Sequence, residues 1–148
     1  MKRLAVAAAA LLLAGCGGDD DDEKEPAGTV KLESQLTGVD RVPATAPAGA
    51  DTQLRVVGQL YEPGDAKATG RSQTACVRTQ RGAGEVYNCT VVFVLPEGRL
   101  YGVAIASEDG PASGAIVGGT REFARASGTF EYGSRSGQRV ALAVELGD

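Results

Sequence analysis

Histidine and tryptophan are both missing from these 148 residues, and aromatic side chains make up only 5% of them. Without histidine, Ser-His-Asp and Cys-His nucleophiles and histidine-based metal sites are excluded. Long apolar runs are lacking too: Leu4–Leu13 (LAVAAAALLL) is far short of the roughly 20 residues a membrane helix needs. Basic residues are scarce, 15 against 19 acidic ones for a net charge of −4, and no basic patch stands out. Such a chain has nothing to displace phosphate counterions, which rules down nucleic acid as a partner. Gly118-Gly119 is followed by no Gly-Lys-Ser/Thr, so a Walker-type phosphate loop is excluded. Carboxylates could still do acid–base work, but Asp65, Glu97, Glu108 and Asp109 fall at turn signals, and no spacing sets a pair across a cleft. The sequence implies no cofactor and no metal.

The amino terminus is more informative. Met1-Lys2-Arg3 is basic, Leu4–Leu13 is oily, and Leu13-Ala14-Gly15-Cys16 resembles the bacterial lipobox. On that reading residues 1–15 are a lipoprotein signal peptide and Cys16 becomes the acylated first residue, anchored to the membrane. The alternative is an ordinary cleaved signal with an incidental cysteine, but basic start, short core and tetrapeptide agree on the first. Two or more acyl chains anchor stably where one does not. Residues 16–28 follow as a tether. The run Asp19–Glu25 cannot bury apolar area and is expected to stay disordered, because a calcium loop would need its ligands spaced around a fixed turn. The expected location is extracytoplasmic, on the bacterial cell membrane.

From Thr29 to the end, residues 29–148 read as one domain of period two. Val30, Leu32 and Leu36 alternate with Lys31, Glu33 and Gln35; Leu54, Val56 and Leu60 with Gln53, Arg55 and Gln59; Val140, Leu142, Val144 and Leu146 form a third set. Further strands are expected near 68–80, 86–95, 98–107, 113–118 and 126–133, split by turn signals such as Pro63-Gly64-Asp65 and Pro96-Glu97-Gly98. Twenty-one glycines suit so many turns. The fold expected is all-β, an eight-stranded antiparallel barrel, because closure removes exposed edges. The segments VVFVL (91–95) and YGVAI (101–105) are apolar on both faces, so something must cover the outer one: a second subunit in a homo-oligomer, or the segment Thr37–Ala50.

Cys76 and Cys89 flank Arg81-Gly82-Ala83-Gly84. If those four residues form a hairpin loop, Gln80 faces Glu85, Arg78 faces Tyr87 and Cys76 faces Cys89, close enough for a disulfide. Export would supply the oxidising conditions it needs. A redox pair normally reads C-x-x-C, and two sulfurs without histidine make a poor zinc site. Asn88-Cys89-Thr90 matches the glycosylation pattern, which is discounted in a bacterial lipoprotein.

The stretch AIVGGTREFARASGTF (115–130) resembles the G-G-T-G-x-F-x-x-A-R-G segment of the allene oxide cyclase and dirigent barrel superfamily. It reads as a strand end, a Gly118-Gly119 turn, a short helical turn capped by Thr120, and a return strand from Gly128, with Phe123 plugging one end of the barrel. Arg121 stands where the family has a fourth glycine, so that position should not need a glycine-only backbone; Ser127 replaces the usual arginine. Gly58–Asp65, Gly70–Cys76 and Cys89–Gly102 are similar to family segments in the same order, and the likeness spans Thr29–Leu146. Members cyclise a fatty-acid-derived allene oxide or steer phenol coupling inside the barrel. The resemblance matches Glu33 to the acidic residue that the cyclases carry on the first strand, although alternation with Leu32 puts it on the wet face. From their chemistry alone, Tyr61, Arg78 and Tyr101 are candidates to line a ligand pocket in the barrel mouth, the alternative for each being plain core or surface packing. The expected function is binding of a small apolar ligand by an exported, lipid-anchored barrel. The alternatives are an isomerase of the cyclase or dirigent kind, and a structural or adhesive surface lipoprotein.

Overall fold

The computed structural model describes residues 28–42, 53–80, 86–107 and 113–147. The leader, Cys16 and most of the tether lie outside the described residues, as do the loop 81–84 and most of 37–50. Eight strands follow one another: β1 (Gly28–Val42), β2 (Gln53–Tyr61), β3 (Gly70–Gln80), β4 (Val86–Leu95), β5 (Gly98–Ser107), β6 (Ser113–Arg121), β7 (Gly128–Ser136) and β8 (Arg139–Leu146). Each pairs antiparallel with the next, and β8 returns to β1 from Gly28↔Leu146 to Gln35↔Arg139, closing the expected barrel. Among the described residues no helix is long and apolar enough to cross a membrane.

Period two sorts the side chains. Directly paired residues point to the same face, so one inner row can be followed around the ring: Leu54, Cys76, Cys89, Ala104, Gly114, Phe130, Val144, Val30. Leu60, Phe93, Leu100 and Val144 have no exposed surface, and Phe130 is 1% exposed. Phe93 meets Phe130 edge-on at 5.4 Å, and Phe130 meets Tyr132 at 6.1 Å. Glycine makes room for this: a Cβ on Gly102 would stand 2.8 Å from the Phe130 ring, and one on Gly114 would also strike it. Cys76 and Cys89 pair directly and are bonded. The hairpin around them slips by one residue, however, so Gln80 pairs with Val86 and not with Glu85.

The two ends of the barrel differ. At the base, the turn after β6 folds inward and buries Phe123 and Ala126, with Phe123 against Gly98 and Gly119. That turn is not a capped helical turn. The Phe123 and Ala124 amides donate to the carbonyls of Thr120 and Arg121, Ala126 donates to Phe123, and Thr120 Oγ1 accepts the Arg99 amide at 3.1 Å. Gly128 begins β7 at φ +147°, and a Cβ there would strike the Glu145 carbonyl oxygen. Gly118 is open on its missing-side-chain side. Arg121 sits at φ +58°, in the left-handed region, so the position favours glycine without requiring it, as the arginine there implies. Arg121→Gly should therefore raise stability by about 0.5–1 kcal/mol, seen as a higher urea midpoint with unchanged slope.

At the other end β1 outruns β8. Past Gln35 it keeps only β2 as a neighbour, through a bulge between Leu36 and Gly38 that carries the pairing on to Val39↔Val56. Leu36 keeps the inward parity of Leu32 and Ser34 but is 53% exposed, on a two-stranded ribbon that rises beyond the barrel wall.

Candidate functional site at the barrel mouth

Burial along the inner rows is uneven, deepest in the centre of the barrel. Leu60, Leu95, Leu100 and Phe123, all toward the base or centre, are 8% exposed or less. On the same inner rows near the mouth, Ser34, Leu54, Val56, Thr74, Arg78, Ala106, Tyr132 and Val140 keep part of their surface accessible. Leu36 and Val39, 53% and 47% exposed, stand on the inner rows of the projecting ribbon as an apolar lip.

Part of this inner surface is polar. Tyr132 points inward from β7, and the hydroxyls of Ser34 and Ser72 hydrogen-bond to its oxygen. Gly58 leaves the space they use, since a Cβ there would stand 2.8 Å from Ser72 Oγ and 3.4 Å from Ser34 Oγ. Burial disfavours the phenolate and outweighs the two hydroxyls, which pull the other way, so the phenol is pushed from 10.0 up to about 12. The raised group keeps its full contribution to stability below pH 10. Between about pH 10 and 12 the unfolded chain ionises while the folded one does not, so stability falls there. Of the four tyrosines, one should titrate near pH 12 by phenolate absorbance. Tyr132→Phe should remove that step and flatten the alkaline loss of stability.

The residues marked from the sequence are dispersed. Arg78 pairs with Tyr87 on the inner face near the mouth, with its Nε buried. Tyr61 is on the outer face of β2, buried beneath Arg139, whose guanidinium lies 3.7 Å from the ring centroid. Its hydroxyl donates to Gln59 Oε1 at 2.6 Å. Tyr101 faces outward from β5, paired with Val92. Tyr61, Arg78 and Tyr101 therefore do not converge. Glu33 also faces outward, where Arg139 Nη1 donates to its Oε2 at 2.9 Å and to the Asp65 carbonyl at 2.7 Å. Among the described residues, no carboxylate stands on an inner row, and no three of Cys, Asp and Glu gather as metal ligands. Tyr132, Ser34 and Ser72 escaped sequence reading. Parity with Phe130 and Leu32 marks two of them as inward, but only ring closure brings β7, β1 and β3 together.

The outer face has a feature of its own. A groove of about 770 Å³ crosses β3–β6 over Ala75, Val77, Thr90, Val103 and Ile105, with Ile105 70% and Val103 43% exposed.

These features define a small closed antiparallel barrel of eight strands. The chain is similar in fold to the solved structure of a pyocyanin demethylase, with a TM-score of 0.68 and 20% identity over 81% of this chain and all of that one. It is also similar to the Diels-Alderase AbmU of Streptomyces koyangensis, with a TM-score of 0.58 and 12% identity over 81% of this chain and 69% of that one. No family model and no curated protein matches the sequence.

Proposed function

We propose that this chain is an exported, lipid-anchored barrel that binds a small, mostly apolar molecule in its mouth. The observation that carries this reading is the group of inner-row residues near Val56, Thr74 and Tyr132 that keep part of their surface accessible. Apolar walls with a few convergent hydroxyls are what a small-molecule site needs. The fold neighbours, whose names are those of enzymes acting on small molecules, are compatible with it. The disulfide favours an oxidising compartment, in line with acylation at Cys16 and export. The allene oxide cyclase and dirigent likeness belongs to the same proposal. Its cyclase form lacks support in Glu33, which sits outside the barrel against Arg139. The test is native mass spectrometry of protein from its own host. A co-purified small molecule should be present in the wild type and lost in Val56→Trp with unchanged circular dichroism. A clean apo mass for the wild type would overturn the reading.

The outer groove supports a second element of the proposal, self-association through β3–β6 as a homo-oligomer. Light scattering should show a multimer that Ile105→Lys disperses, and a wild-type monomer at high concentration would remove it.

A further inference from the structure

The base of the barrel holds a cavity of its own, and every residue that lines it is described. It measures about 420 Å³ and lies between the start of β1 and the turns that follow β2, β4 and β6. Its apolar surface comes from Val30, Leu32, Leu95 and Phe123. Val30 and Leu32 stand on inner rows, paired with Val144 and Leu142, and Leu95 follows Phe93 inward, so the cavity looks onto the interior side of the wall. Glu62 and Glu97 line it from two different turns, both exposed to solvent. Lys31 is the one cation among the lining residues, and it faces outward from β1, paired with Ala143. Lys67 and Arg125 are exposed on the neighbouring turns and do not line it. Arg139 is bonded to Glu33 and the Asp65 carbonyl, and Arg121 lines a separate hollow with Arg99 and Thr120. Outside the described residues, the chain leading into this pole is acidic in sequence, Asp19–Glu25 apart from Lys24.

We propose that this cavity is a second binding site, separate from the mouth, and that it takes a small organic cation, an apolar body carrying one ammonium group. The apolar body packs on Leu32, Leu95 and Phe123, where burial of its surface supplies most of the binding. The ammonium stays at the rim with Glu62 and Glu97, whose carboxylates accept from its N–H donors. A cation held there is partly desolvated against the apolar wall. Its attraction to two carboxylates is therefore stronger than in open water, yet still weakened by salt. Lys31 opposes the cation as a like charge. An anionic ligand fares worse, meeting two carboxylates with only that lysine to offset them.

The experiment is calorimetric titration of the full chain at neutral pH with three naphthalenes of similar size: cationic 2-naphthylmethylammonium, neutral 2-acetonaphthone and anionic 2-naphthoate. The ammonium should bind about tenfold more tightly than the ketone, with naphthoate weakest, and added salt should narrow the gap. Glu62→Gln/Glu97→Gln, at exposed turn positions, should weaken the ammonium about tenfold and leave the ketone within about twofold. Lys31→Gln should strengthen the ammonium by about threefold. Val56→Trp, which fills the mouth, should change none of these affinities. Equal binding of ammonium and ketone, or an ammonium affinity unmoved by Glu62→Gln/Glu97→Gln, overturns the cation. Loss of binding in Val56→Trp puts the ligand in the mouth and overturns the base site. Binding of none of the three overturns the base site and leaves the mouth to its own test of a co-purified molecule.

Discussion

Phe130→Ala should lower the stability of the barrel by about 3–5 kcal/mol, a large share of what a domain of this size has. Phe130 is 1% exposed and stands where the rows from β5, β6 and β8 meet: Gly114 opposite on one side, Val144 on the other, Phe93 across the interior. Gly102 and Gly114 are shaped around the ring, so they cannot collapse into the space it leaves. A cavity surrounded by rigid strand backbone relaxes little, which places the cost toward the upper end. The change should appear as a lower urea midpoint with an unchanged slope. A loss under about 1 kcal/mol would mean that the ring is not the centre of the core. Gly114→Ala combined with Phe130→Ala should cost less than the sum of the two, because the added methyl enters the vacated space.

Removing the Cys76–Cys89 bond should cost about 3 kcal/mol, the closure entropy expected for a loop spanning a sequence separation of 13. The bond ties two inner-row positions of β3 and β4, both buried, near the mouth. Cys76→Ala/Cys89→Ala should melt lower than the wild type by a margin that reductant reproduces in the wild type and does not widen in the variant. If reductant leaves the wild-type melt in place, the bond contributes nothing to stability.

The number and order of strands were legible because inward residues such as Leu32, Leu60, Leu142 and Val144 alternate cleanly with polar ones. The disulfide was legible for a related reason: hairpin pairing is local, and even the one-residue slip at Gln80 left Cys76 opposite Cys89. Leu36 has the inward parity its alternation indicates, but the sequence does not say that β8 begins only at Arg139, which leaves Leu36 on a two-stranded ribbon and exposed. Tyr61 could have been placed outside by parity with Leu60. What hides it from water is Arg139, 78 residues onward, which reaches it only once β8 has closed on β1. Tyr101 lies in a strand apolar on both faces, where parity carries no information. The hydroxyl group of Tyr132, Ser34 and Ser72 draws on three strands that become neighbours across the lumen, so no local pattern could announce it.

Gly28 and Leu146 are paired at the base, so both ends of the folded domain emerge side by side on the far pole from Leu36 and Val39. A tag, a surface linkage or a partner domain fused at either end would leave that opposite pole unobstructed. A short linker from Gly147 to Gly28, with new termini cut into a rim loop, would yield a permuted barrel whose floor and hydroxyl trio are untouched.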